Sequence, residues 1–179
     1  MASTILNMDA AALYVGDDDP TNAEFLTIKN IKIPALEEAT KDHSGGGAMA
    51  EISLGTRKIV APVLSFQLEG FNPNVMSRFM PGGPSRIKYT VRGSVRDIRD
   101  HTDLEIKAII EGRMTKYEPS QFEKDSGMTS DYEIKEVTKY HLFFGQQEKF
   151  FFDYFLGPRG LRMDGQLMYS AVARNLGMA

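Results

Sequence analysis

The residues best suited to chemistry are few and poorly spaced for it. Histidine occurs only at His43, His101 and His141, and no pair has the i, i+4 spacing that turns two imidazoles toward one zinc ion. A histidine-based metal centre is therefore not expected. The chain has no cysteine, which excludes disulfides and thiolate metal ligands. Asp42-His43-Ser44 contains the residue types of a hydrolytic triad. Consecutive residues do not converge on one reacting atom, however, and no Gly-x-Ser-x-Gly elbow is present, so the stretch reads as a polar loop. Asp17-Asp18-Asp19 has the acidic density of a calcium loop. Asn22 stands where that loop needs glycine and Ile28 where it needs a closing glutamate. Gly157-Pro158-Arg159-Gly160 lacks the Gly-Lys-Ser/Thr that completes a phosphate loop. The sequence thus predicts no catalytic residue, no metal and no cofactor.

Charge and composition narrow the classes further. Of 179 residues, 42% are apolar and 25% charged, which suits an ordinary globular chain forming one domain over 1–179. The net charge of -3 disfavours tight grip on phosphates and suits a surface past which nucleic acid slides. Arg86, Lys88, Arg92 and Arg96 form a basic row, but no aromatics interleave with it, as a nucleic-acid stacking groove would require. The first basic residue is Lys29, so the positive start of a signal peptide is missing. Ala10 to Val15 is too short to span a bilayer. The expectation is a chain made in the cytosol and not inserted in a membrane.

The elements that must position these residues are strands. Period-two alternation dominates. From Arg86 to Ile98, Ile87, Tyr89, Val91 and Val95 share one face, and the basic row shares the other. From Leu104 to Met114, Leu104, Ile106, Ala108, Ile110 and Met114 oppose Glu105, Lys107, Glu111 and Arg113. The two runs predict a hairpin in which odd positions of the first strand face even positions of the second. One such register pairs Val95 with Ile106, Val91 with Ile110, Ile87 with Met114 and Arg96 with Glu105. Tyr132 to Phe144, Ile59 to Leu68 (with Pro62 marking an edge or bulge), Leu26 to Ile33 and Phe150 to Leu156 read as further strands. In Phe150-Phe151-Phe152 both strand faces are apolar, so both are buried in the subunit or one packs on a neighbour. Helix is expected over Pro73 to Met80, capped by Asn72 with Val75, Met76, Phe79 and Met80 as a core stripe, and over Gly165 to Asn175, capped by Asp164. Glu37 to Gly55, with Gly45-Gly46-Gly47, and Glu118 to Ser130 read as long loops, either functional or simply mobile.

In this order the elements resemble the major tail tube protein of contractile-tailed phages and phage-tail-like bacteriocin particles. Ile-Lys-Ile-Pro-Ala-Leu at Ile31 to Leu36 is similar to that family's first strand ending in proline. The Gly-rich stretch from Ser44 to Ile52 matches its long loop, and Leu68-Glu69-Gly70-Phe71 before the Pro73 helix its strand-to-helix junction. Arg92-Gly93 and Glu111-Gly112-Arg113 resemble its central hairpin, and Arg174-Asn175-Leu176-Gly177 its ending. Met1 to Asn22 departs from the pattern by being longer and more acidic, which leaves the role of that N-terminal segment open.

The resemblance implies a mainly β, sandwich- or barrel-like subunit with one flanking helix and a short C-terminal helix. It further implies hexameric rings whose sheets join in a continuous inner barrel and stack into a tube in the virion tail, assembled in the host cytoplasm. Implied partners are other copies of the chain, a tail sheath protein, tape-measure and baseplate or terminator proteins, and DNA that passes without sequence-specific binding. On that frame Lys88, Arg92, Arg96, Glu105, Lys107, Glu111 and Arg113 are expected to line the lumen, an outer solvent face being the other reading of the same alternation. The segment holding Lys41, His43, Gly45, Gly46, Gly47, Met49 and Glu51 is expected to make ring-to-ring contacts. The alternatives are a monomeric β-sandwich binding module for surfaces or carbohydrate, and the tube protein of a related secretion or bacteriocin machine.

Overall fold

The structure, a computed structural model, describes residues 4–16, 23–47, 49–83, 86–124 and 127–178. It is mainly β. The strands are β1 (Leu6–Val15), β2 (Ala23–Glu24), β3 (Ile28–Lys32), β4 (Glu38–His43), β5 (Ile52–Ile59) and β6 (Leu64–Glu69). After the short helix α1 (Pro73–Met76) come β7 (Ile87–Asp97), β8 (Asp103–Pro119), β9 (Thr129–Phe144) and β10 (Gln147–Asp153). A 3-10 segment (Tyr154–Arg159), β11 (Leu161–Met163), β12 (Gln166–Leu167) and helix α2 (Ser170–Asn175) complete the chain.

Ten strands form one antiparallel sheet, ordered β12-β11-β10-β9-β8-β7-β1-β2, with β6 and β3 branching from β9. The branch has a local cause. The first part of β9 pairs with β6 (Phe66 opposite Tyr132) and its last part with β10 (Phe151 opposite His141). Between them the ladder to β8 slips, and Glu136 takes a left-handed backbone at φ 51°. A bulge of this kind bends and twists a strand, so β9 can serve two sheet arms. Gly112 faces the bend. A Cβ there would meet Ile134 Cγ2 at 2.9 Å and the Lys135 carbonyl at 3.0 Å, so only glycine lets β8 approach this closely.

The alternation fills one core. Tyr89, Val91, Ala108, Ile110, Met114, Tyr132, Ile134 and Tyr140 are buried from the central strands, joined by Leu64, Phe66 and Leu68 of β6 and Leu13 of β1. Phe66 stacks on Tyr132 with ring centroids 4.8 Å apart. Tyr140 donates its hydroxyl to the Pro34 carbonyl at 3.4 Å, and burial raises its pKa. Val15, Ile28 and Ile31 pack against the same cluster, so the β1 end and the β3 end of the sheet cover one core.

Several sequence expectations are corrected here. The central hairpin has the expected parity but lies two residues tighter: Val95 faces Leu104, Val91 faces Ala108, Ile87 faces Gly112, and Arg96 faces Asp103 in place of Glu105. Asp97 holds that turn. Its carboxylate accepts from the Arg99 amide at 2.8 Å, the Asp100 amide at 3.3 Å and the Thr4 hydroxyl, and these bonds, Thr4 first, lower its pKa. The stretch 59–68 is two strands separated by the buried Pro62, and Val60 is exposed. Helix α1 starts as expected, with Asn72 accepting from the Val75 amide, but stops at Met76. Of its apolar stripe only Val75 is buried, while Met76, Phe79 and Met80 are exposed, because among the described residues no strand packs over them. Asp164 and Gly165 form the β11–β12 turn, and α2 begins only at Ser170. Leu6–Val15, inside the N-terminal segment left without a role, is a full strand beside β7. Asp17 to Asn22 lie outside the described residues.

Candidate functional site: a polar sheet face and a projecting hairpin

The seven residues expected on one wet face do lie together on it. Lys88 is opposite Glu111, Arg92 opposite Lys107, and Arg96 opposite Asp103, with Arg113 opposite Lys135 of β9. The register places the like charges of Arg92 and Lys107 across from each other, and Arg92 instead reaches diagonally to Glu105 at 2.6 Å. It also stands 5.9 Å from the Tyr14 ring on β1. Lys139 reaches Glu111 at 3.6 Å. Several cations of this face therefore meet carboxylates of the same subunit. Such exposed pairs stabilise by about 0–1 kcal/mol each, so their main effect is to flatten the field of the surface.

Two groups on this face escaped the sequence reading. Glu136 falls at an apolar position of the β9 alternation, but the bulge turns it outward, where it accepts from Arg86 at 2.7 Å and Arg113 at 3.0 Å. The second group sits on β9, β10 and β11. Arg162 donates to both oxygens of Glu148 at 2.9 and 2.8 Å, and His141 Nε2 lies 2.6 Å from Glu148. The Arg162 guanidinium stacks over Phe151 at 3.8 Å, and His141 lies 3.9 Å from the Phe143 ring. The arginine bonds pull the Glu148 pKa down to about 2, while burial lowers that of His141 against the opposing pull of Glu148. Phe151 is thus buried partly by Arg162 of its own chain, which resolves one of the two readings of the Phe150–Phe152 run. The cross-strand register, which no local pattern specifies, brings these residues together.

The segment expected to be a loop from Glu37 to Gly55 is mostly a hairpin. β4 and β5 pair only with each other, Thr40 facing Gly55, Lys41 facing Leu54 and His43 facing Ile52. Glu38 accepts from the Arg57 amide at 2.7 Å, and Ser53 donates to Asp42 at 2.5 Å. Lys41 and His43 are strand residues, whereas Gly45, Gly46, Gly47, Met49 and Glu51 occupy the tip region. Every described residue from Thr40 to Lys58 is exposed, including Met49, Ile52 and Leu54. A two-stranded sheet with neither face covered is marginal in water.

Among the described residues no group of three or more His, Asp or Glu could hold a metal, and no helix is long and apolar enough to cross a membrane. No curated protein matches the chain. A family model described as phage tail tube protein FII matches residues 10–177, from the middle of β1 through α2. By that match the chain belongs to the phage tail tube protein FII family, and it is a structural component of a viral tail tube.

Proposed function

We propose that the chain builds the tube of a contractile phage tail. Hexameric rings stack around a central channel, and DNA passes through that channel into the host cell. The observation that carries this reading is the division of labour in the sheet. One face is packed with apolar side chains, the other is wet and internally ion-paired, and the outer edge of β1 from Leu6 to Ala12 has no partner strand among the described residues. An unpaired edge of that length invites a strand of another copy, and closure between copies removes it. The wet face then lines the channel through Lys88, Arg92, Arg96, Glu105, Lys107, Glu111 and Arg113. Because carboxylates answer several of its cations, DNA phosphates gain little by releasing counterions there, and the strand slides. The β4–β5 hairpin makes the ring-to-ring contacts. The tube is assembled in the host cytoplasm, engages sheath, tape-measure and baseplate or terminator proteins, and becomes part of the virion.

Negative-stain imaging of the purified chain tests the reading, with hollow tubes or rings as the expected result. Absence of native cysteine allows a sharper test. Cysteine at Lys107 should be shielded from a bulky maleimide in tubes and open in dissociated subunits. Equal labelling of both forms would place the charged face outside.

A further inference from the structure

The hairpin needs a receiving surface, and one region of this chain matches it in both polarity and charge. From Asp42 to Leu54 the sequence carries two acids, Asp42 and Glu51, and no lysine or arginine, with Met49, Ile52 and Leu54 exposed beside them. Among the described residues Asp42 bonds the neutral Ser53 hydroxyl and has no ionic partner, and Glu51 has none either. At the other end of the chain, the 3-10 segment, β11, β12 and α2 enclose an open groove of about 570 Å³. Leu156, Leu167 and Met178 give it apolar walls, and the charged side chains lining it are all cations: Arg159, Arg162 and Arg174. Arg162 is neutralised by Glu148. Arg159 donates to the neutral Met178 carbonyl at 3.3 Å, and neither Arg159 nor Arg174 has a carboxylate partner among the described residues. In this structure the groove is lined by residues 156–178 alone, so the chain's own hairpin does not occupy it.

We infer that the distal half of the β4–β5 hairpin docks in the groove between the 3-10 segment and α2 of a second copy. Asp42 and Glu51 face Arg159 and Arg174, and Ile52 and Leu54 cover the apolar walls. The inference rests on the tube reading above and names the receptor for its stacking element. Eight residues of β5 span about 26 Å, enough to cross to a neighbouring subunit. Hairpin and groove are different surfaces, so the contact is head-to-tail and propagates from ring to ring without closing on itself.

The test uses the full chain and two sets of variants, with circular dichroism to check that each folds. A chain carrying Glu51→Cys and Arg174→Cys should give an inter-subunit disulfide ladder on a non-reducing gel once tubes form. Reversing the hairpin charges (Asp42→Lys with Glu51→Lys) or the groove charges (Arg159→Glu with Arg174→Glu) should abolish tubes seen by negative stain. Combining both reversals in one chain should restore them. Tubes without the ladder, a disulfide formed only within one chain, or reversals that leave assembly unchanged would overturn the docking and leave the tube reading standing. A wild-type chain that forms no tubes would overturn both.

Discussion

The central β7–β8–β9 sheet and the β4–β5 hairpin are built from the same kind of alternating sequence, yet they differ completely in what holds them. In the central sheet most side chains of one face enter a shared core, and Tyr89, Ala108, Ile110 and Tyr140 are fully buried. In the hairpin the alternation is present, with Ile52 and Leu54 in phase, but nothing among the described residues covers it. Strand pairing alone does not stabilise a ribbon; burial of a face against a second layer does. The first region therefore secures the subunit, and the second is left to gain its stability from another molecule.

The largest separation between the two regions should come from truncating one buried and one exposed apolar side chain. Phe66→Ala removes a ring stacked in the core and should lower stability by about 3–5 kcal/mol in chemical denaturation. Ile52→Ala should change the free subunit by less than about 0.5 kcal/mol while impairing tube formation. An equal loss in both would mean that the hairpin already packs on its own subunit.

A smaller effect concerns the close approach at the bend. Gly112→Ala places a methyl group 2.9 Å from Ile134 Cγ2 and should cost about 1–3 kcal/mol. Gly46→Ala meets no atom within 4 Å and should be nearly silent in the same melt.

Acid should weaken the wet face of the sheet. Glu148 is held at about 2, below its ordinary value, so its contribution to stability is full above about pH 4.5 and fades as pH falls toward 2. His141, with its pKa lowered, adds in the same direction, because the unfolded chain takes up that proton first as pH drops through about 6.5. Glu148→Gln should flatten the acid limb of the melting-temperature profile.

The smallest effect is expected at the ion pairs of the wet face. A double-mutant cycle on Arg92 and Glu105 should give a coupling below about 1 kcal/mol, since both side chains remain open to water. A coupling several times larger would mean that these pairs fix the sheet, and would weaken their assignment to flattening the surface field. Amide exchange should rank the regions in the same order, with the hairpin fast in the free subunit and slowed in tubes.

What the sequence by itself determined is the period. Alternation from Ile87 to Val95, from Leu104 to Met114 and from Tyr132 onward is a local property, and it indicated which side chains share a face, except where Leu104 stands exposed and where the bulge turns Glu136 outward. The Asn72 cap was legible for the same reason, because its bond to the Val75 amide is local. Only tertiary structure decided the rest. The two-residue register of the central hairpin depends on the Asp97 turn and its bond to Thr4, ninety-three residues away in the chain. The exposure of Phe79 and Met80 depends on no strand among the described residues packing over them, and the meeting of His141, Glu148 and Arg162 depends on which strands become neighbours. Leu6–Val15 carries too many alanines to announce a strand, and it becomes one because β7 offers it an edge. Periodicity is set by backbone geometry within a few residues, whereas register, coverage and cross-strand partners are set by parts of the chain that meet only when it folds.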